Sequence, residues 1–211
     1  SSDVAVAAQA KVAIGARWLV ATHPPRSMEA VRQDLLRECQ RTSFAEAAIY
    51  RKPIGAGIEG LSIRYVEQAL QAMGNVDTEV ITIYDDRDKR IVEVRVTDFQ
   101  RNVGHKKQLT INKTVEKKWP KRGETPISQR QNSAGETTYT VHATEDELLT
   151  KESALTSKAI RTCGLRLIPG WLQDECEEII RKTKSDEAAR DPDAEKRKLL
   201  DGFGTIGVSP L

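Results

Sequence analysis

The chain has 211 residues, of which 38% are hydrophobic and 30% are charged, and its formal net charge is +2. This size and composition predict one large domain, or one domain with appendages, around a modest hydrophobic core. No apolar run approaches the roughly 18 residues that a membrane-spanning helix needs, so we expect no membrane partner. The three cysteines form no CxxC pair, which argues against a disulfide framework or a zinc site and favours a reducing, cytoplasmic setting.

The N-terminal part of the chain is predicted to be helical. Val4 to Val20 is alanine-rich, and a second helix begins after Ser27, which has the chemistry of an N-cap. Val31 and Leu35 recur at four-residue spacing in that second helix, so one stripe should face the core. The segment AAIYRKP then predicts a short extended stretch that Pro53 ends or leaves at an edge.

A glycine-rich motif follows. Gly55, Gly57 and Gly60 fit GxGxxG, and an amphipathic helix comes directly after them. With an acid about 20 residues on, this layout is close to a dinucleotide-binding βαβ unit. The element after Asp86 reads as a second strand and not as a crossover helix, which weakens that interpretation. The alternative is a flexible glycine loop in which Ser62 caps the next helix.

From Val76 to Lys118 the sequence predicts three β-strands. In the second run, valines alternate with polar residues from Val92 to Thr97, which is the period-2 pattern of a half-buried strand. The short turn DDRDK between the first two runs predicts an antiparallel hairpin.

The third of these runs carries most of the local charge. Between Arg101 and Arg122 there are eight lysines and arginines and a single acid, Glu116, which sums to +7 in a chain whose total is +2. On this third strand, one face is predicted to carry Lys107, Lys113 and Lys117, and the opposite face Lys106 and Lys118. Such a strand suits an anionic partner, and lysines with interspersed Thr and Asn suit contacts to a phosphate backbone.

The C-terminal half is predicted to be mostly helical. Trp119 to Gly135 is rich in Pro, Gly, Ser and Gln and is interpreted as a mobile loop, followed by a strand from Thr137 to His142. Thr144 and Glu147 form a T-x-x-E capping box at the start of a long helix that runs toward Pro169. That helix carries a broad arc of three cations, and Arg51, Lys52 and Arg64 beside the glycine motif are expected to extend the same surface. The arc consists of Lys158, Arg161 and Arg166.

Motifs for catalysis are scarce. The sequence has no GxSxG motif, no P-loop and no cysteine near a plausible histidine, so we expect neither catalysis nor a cofactor or metal. The best enzymatic alternative is a metal-dependent nuclease that uses Asp86, Asp88 and Glu93 in a D…ExK-like layout. Arg95 replaces the lysine of that layout, and arginine cannot give up a proton in its place. Aromatic residues make up 5% of the chain, which disfavours a base-stacking platform.

The order of motifs resembles a known family. Y-x-K-P-x-G at Tyr50 to Gly55 is followed by G-x-S-I-R at Gly60 to Arg64, then by M-G-N ending at Asn75 and by the β-meander. The long helix reads S-K-A-I-R-x-x-x-L-R-L-I-P from Ser157 to Pro169. Together these segments resemble the phage single-strand annealing proteins of the RecT/Redβ-type superfamily, whose core is shared with the eukaryotic Rad-type annealing proteins.

The resemblance implies an α+β fold in which an antiparallel β-meander packs against the long helix, with further helices at both ends. We expect a single DNA-annealing domain with a helical region at 1–45, an α+β core at 46–183 and a charged arm at 184–211. Because GFGTIGVSPL at the end of the sequence is apolar again, we expect this arm to continue beyond the chain. Single-stranded DNA would lie in a groove between meander and helix, with Lys158 and Arg161 on its floor and Arg64 on a facing helix. The implied partners are DNA strands, the annealed duplex intermediate, other copies in a ring or helical filament, and a 5′–3′ exonuclease in a bacterial cytoplasm.

Overall fold

The computed structural model describes residues 2–22, 24–52, 57–121 and 123–190. The fold is α+β, as predicted, and the chain divides into two compact units, Ser1–Val20 with Asn75–Leu167 and Ala21–Gly74 with Ile168–Leu211. In chain order the elements are α1 (Ser2–Thr22), α2 (Met28–Cys39), α3 (Thr42–Ala48), β1 (Ile49–Lys52), β2 (Ile58–Leu61), α4 (Ile63–Met73), β3 (Val76–Asp85), β4 (Lys89–Asp98), β5 (Val103–Asn112), β6 (Thr114–Lys117), β7 (Ser128–Gln131), β8 (Thr137–His142), α5 (Glu145–Leu165) and α6 (Gly170–Arg190).

The first unit is built on the predicted meander. β3, β4 and β5 pair antiparallel in that order, and the β3–β4 connection is the expected hairpin. Asp86 closes its turn, because one carboxylate oxygen accepts the backbone N–H groups of Asp88 at 2.8 Å and Lys89 at 2.7 Å. On β4 the alternating Val92, Val94 and Val96 are buried and Arg95 is exposed, as the period-2 pattern predicts, but Glu93 is buried on the opposite face as well.

The long helix α5 covers one face of this meander. Thr144 and Glu147 form the predicted capping box, which satisfies two backbone N–H groups at the start of the helix. Leu148 and Ala159 of α5 share a hydrophobic core with residues of the two strands beneath them. Those strand residues are Val92 and Val94 of β4 and Ile111 of β5.

The predicted third strand is wrong in its length. β5 ends at Asn112, and β6 belongs to a second sheet in the order β6-β8-β7. At Lys113, between the two strands, the backbone N–H donates to Asp88 and the carbonyl accepts from Ala143. These two hydrogen bonds take Lys113 out of the hydrogen-bonding pattern of a continuous strand. The lysines of β5 and β6 therefore do not lie on one face of a single strand. The predicted mobile loop is also partly regular, since it contains β7.

The second unit is mainly helical. Leu35, Leu172 and Ile180 from α2 and α6 are fully buried in it, and the predicted stripe of α2 is confirmed. Ser27 and Ser62 cap α2 and α4 as expected, with their hydroxyls accepting backbone N–H groups. β1 and β2 form an antiparallel hairpin beside these helices. The short helix α3 was not predicted, and the charged arm is helical as far as Arg190, beyond which it lies outside the described residues.

All three cysteines are buried free thiols. Cys39 of α2 and Cys176 of α6 meet beside the buried ring of Tyr65, which belongs to α4. The hydrogen bond with Cys176, together with burial, raises the pKa of the Cys39 thiol far above its usual range. Burial likewise raises the pKa of the Cys163 thiol on α5, so neither group forms a thiolate at neutral pH.

The helix α1 is confirmed, although it extends slightly beyond the predicted residues. Its apolar side chains, such as Val12 and Leu19, are largely exposed. Arg17 attaches its C-terminal part to the first unit by an ion pair with Asp77 at 2.5 Å and by stacking over Phe99. Within the part of the chain that the structure describes, no helix is both long and apolar enough to cross a membrane.

We expect Ile111→Ala to lower the free energy of unfolding by about 2–5 kcal/mol, because it leaves a cavity between β5 and α5. The matched control is Thr110→Ala on the exposed face of the same strand, with an expected change within about 0.5 kcal/mol. Urea denaturation of both variants measures the difference, and equal losses would contradict this assignment of the core.

Candidate nucleic-acid interface

Four of the five lysines predicted on the third strand are paired with carboxylates. The partner carboxylates lie in other parts of the first unit. Glu116, the single acid between Arg101 and Arg122, is not among them. The pairs are Lys106–Glu93 at 3.4 Å, Lys113–Asp85 at 2.6 Å, Lys117–Glu124 at 2.8 Å, Lys117–Glu147 at 3.0 Å and Lys118–Glu136 at 2.6 Å.

These pairs give the lysines a structural role. The side chains of Lys113 and Lys117 are only 22% and 14% exposed, so they have little surface to offer to a ligand. The carboxylates of Glu124 and Glu147 raise the pKa of Lys117, and Lys113 together with Arg90 lowers the pKa of Asp85. The sum of +7 along the sequence therefore overstates the positive charge of this surface.

Three of the predicted cations of the first unit remain open, and we call Lys107, Lys158 and Arg166 the open cations. All three are exposed, and among the described residues none of them lies within 4 Å of a carboxylate. Lys107 pairs with Val94 and so lies on the face of β5 that α5 covers. The positive charges of Arg166 and Lys107 both oppose the upward shift that burial causes in the pKa of Cys163 on α5. Arg161 on the same helix is half-buried.

Lys151, which the sequence analysis missed, shows where Lys158 lies. The ammonium of Lys151 donates to the carbonyl oxygens of Asn112 at 2.9 Å and Thr114 at 3.3 Å, so this side of α5 lies over the end of β5. Lys158 follows seven residues later, which is two helical turns and the same side. The seven-residue spacing between Lys151 and Lys158 is visible in the sequence, and it could have placed Lys151 on the same side of the helix as Lys158.

The position of the expected groove changes accordingly. The space between α5 and the meander is occupied by the apolar core around Val94 and Ile111, so no polymer can run there. The surface left open is the rim where the side of α5 faces β5. The open cations lie on this rim, and Lys158 is at the rim and not on the floor of a groove.

The remaining predicted cations belong to the second unit. Arg51 is bound to Glu59, which also binds Arg181 at 3.0 Å. Arg64 is exposed with Glu67 at 3.9 Å, and the ammonium of Lys52 lies 6.0 Å from the centre of the Tyr50 ring. Their membership of a common DNA surface with the open cations stays a prediction.

The glycine motif does not form a phosphate-binding turn in the described residues. Gly60 lies within β2, opposite Tyr50 of β1, and not in a loop that opens a helix. A Cβ atom at Gly60 would come within 3.2 Å of the Tyr50 ring, so close packing accounts for this glycine. Gly57 precedes β2 with a φ of +88°, which favours glycine, and Gly55 lies outside the described residues.

The proposed nuclease residues are likewise occupied by other contacts. Asp86 holds the β3–β4 turn, while Glu93 accepts hydrogen bonds from Arg95 at 2.8 Å and Gln108 at 3.3 Å. Within the described part of the chain, no three His, Cys, Asp or Glu side chains are grouped so that they could hold a metal ion. Asp86, Asp88 and Glu93 therefore do not come together as a ligand set.

Comparisons with protein-family models, with curated proteins and with solved structures find no match to this chain. The resemblance to the annealing proteins therefore depends on the sequence motifs and stays a prediction. Among the described residues of the first unit, the open cations are the feature that best suits an anionic ligand.

We expect the ion pairs of Lys117 to make stability depend on pH. The backbone N–H of Thr144 and, after it, the Lys117 ammonium lower the pKa of Glu147, and Lys117 also lowers the pKa of Glu124. Carboxylates with lowered pKa values stabilise the fold above their unfolded value of about 4.3, and this contribution is lost as the pH falls through their folded values.

Lys117→Met should therefore lower the urea midpoint at neutral pH, and the difference from the unchanged chain should shrink as the pH falls below about 4. Lys107→Met is the matched control, because Lys107 has no carboxylate partner among the described residues and its effect should stay constant with pH. A Lys117→Met difference that is independent of pH would contradict the role of these pairs.

Proposed function

We propose that this chain binds single-stranded DNA and anneals complementary strands without ATP during homologous recombination. The observation that carries the proposal is the row of open cations, Lys107, Lys158 and Arg166, on the rim between α5 and β5. The resemblance of Ser157 to Pro169 to the annealing family supports the same assignment, since Lys158 and Arg166 belong to that motif.

The rim suits contacts to the phosphate backbone. Lysine and arginine neutralise phosphates and release counterions, and this gives affinity that does not depend on base sequence. Lys158 and Arg166 are eight residues apart, or about 12 Å along the helix, which matches roughly three to four nucleotides at 3.4 Å each. With few aromatic residues to stack on, the bases stay free to test pairing with a second strand.

The row of open cations in one copy is short, so the proposed function requires several copies of the chain. One rim reaches only a few nucleotides, so subunits side by side in a ring or helical filament would give a continuous path and cooperative binding. Base pairing supplies the driving force, and the cations offset the repulsion between two DNA strands. In this proposal the chain acts on strands exposed by a 5′–3′ exonuclease in the cytoplasm of a bacterial host.

The proposal predicts faster pairing of complementary oligonucleotides when the protein is added without ATP. The rate enhancement should fall steeply as salt is raised, because the contacts are ionic. Fluorescence quenching between labelled strands measures the rate, and gel electrophoresis of the same reactions monitors strand integrity. Absence of acceleration at low salt, or strand cleavage that requires Mg²⁺, would overturn the proposal.

A triple alanine variant at Lys107, Lys158 and Arg166 tests the open cations directly. Each lost phosphate contact lowers the steepness of the salt dependence by about 0.7 for single-stranded DNA, so the triple variant should lower it by about 2. Because these side chains are exposed and lack ion pairs among the described residues, the thermal midpoint should stay nearly unchanged.

A second triple variant provides a control of equal charge. It replaces three exposed cations with alanine at other positions of the first unit, and two of them are ion-paired. The positions are Lys118, Lys121 and Arg130. We expect this control to retain most of the DNA affinity, and an equal loss in both variants would indicate that net charge alone, and not the rim, determines binding.

A further inference from the structure

His105 lies on the same face of β5 as Lys107. The two residues are two positions apart, which is about 7 Å along the strand. Their partners on β4, Val96 and Val94, are both fully buried, so this face of the meander is still covered at the level of His105. His105 itself is only half-buried, so a ligand on the surface can reach it.

The end of α5 lies at the same level as His105. Lys151 of α5 donates to the carbonyl oxygen of Asn112 at the far end of β5, and α5 continues from there over Val94. Arg166 follows Lys151 by 15 residues, which is about 22 Å along the helix. His105 precedes Asn112 by seven residues, which is about 24 Å along the strand. Arg166 and His105 therefore lie at the same end of the rim.

The imidazole of His105 has no partner among the described residues. It makes no hydrogen bond with them, and none of their carboxylates lies within 4 Å of it. Asp98, the acid on the same face of the neighbouring strand β4, is fully buried. One of its oxygens accepts the backbone N–H groups of Gln100 at 3.0 Å and Arg101 at 3.3 Å. Unlike the paired lysines of this segment, His105 can bind an anion without breaking an ion pair.

Apart from this buried acid, the charged groups described around His105 are cations. Its own strand contributes Lys107, and the last turns of α5 contribute Arg161, Cys163 and Arg166. Cys163 stays neutral, because burial raises the pKa of its thiol. Positive neighbours repel a proton on an imidazole, whereas a bound phosphate attracts one, so we expect proton uptake when an anion binds at this end of the rim.

We propose that His105 is a further phosphate ligand of the rim and contacts the DNA backbone in its protonated form. The inference rests on the proposed function, because the ligand is the DNA strand that the open cations bind. Protonated His105 extends their row past Lys107 to the end of α5. An imidazole gains its proton between pH 5 and 8, so DNA affinity and its salt dependence should both increase as the pH falls through this range.

Fluorescence anisotropy with a labelled thymidine oligonucleotide tests this role, because neither thymine nor an internal phosphate changes its protonation in this range. From pH of about 8 to about 5.5, binding to the unchanged chain should tighten about three- to tenfold. The steepness of its salt dependence should increase by about 0.7, as one added contact to single-stranded DNA requires.

Three variants assign the effect to one side chain. His105→Gln should bind at both pH values as the unchanged chain binds at the higher one. His105→Lys carries a permanent charge and should bind tightly at both. The matched control is His142→Gln on the exposed end of β8, which should keep the full pH dependence. Circular dichroism at both pH values confirms that all three variants stay folded.

The outcomes separate this inference from the proposed function. The open cations are charged throughout this range, so absence of binding at the higher pH and low salt would overturn the proposed function, and the role of His105 with it. Binding that is independent of pH, or a His105→Gln variant that keeps the pH dependence, would overturn the role of His105 alone. An equal loss of pH dependence in the His142→Gln control would do the same.

Discussion

The contact between α5 and the meander determines most of what the first unit can do. The helix α5 buries the apolar side chains of Val92, Val94 and Ile111 by packing Leu148 and Ala159 against them. Because helix and sheet touch directly, nothing can bind between them, and polar groups of both elements are displaced to the rim. The same contact leaves β3 uncovered, since one helix spans little more than two strands.

Ion pairing divides the cations of the first unit into two groups. Lys113 and Lys117 hold the junction between β5, β6 and α5 through carboxylates on the hairpin, the loop and the helix. A cation in such a pair is a poor ligand for phosphate, because binding would leave its carboxylate unsatisfied. Lys107, Lys158 and Arg166 carry no such cost, and this is why the proposed function depends on them and not on the longer basic segment.

Local sequence patterns predicted the regular elements well. They did not predict hydrogen bonds and ion pairs between residues that are far apart in the sequence. The valine alternation of β4, the caps at Ser27 and Ser62 and the box at Thr144 are all encoded within a few residues, and all are confirmed. The break at Lys113 was not predictable, because it depends on Asp88 and Ala143, which lie far along the chain. For the same reason, a charge count over one segment missed Asp85, Glu136 and Glu147.

The buried thiols have a practical consequence for experiments on this protein. Cys39 and Cys163 are shielded from solvent and kept protonated. The hydrogen bond with Cys39 lowers the pKa of the Cys176 thiol, but this thiol is fully buried, so maleimide reagents should attack all three cysteines slowly in the folded state. A single cysteine introduced on the surface would then react first, without removal of the native ones. Fluorescent or spin probes could thus be attached along the rim of α5 or on β3 of the otherwise unaltered chain.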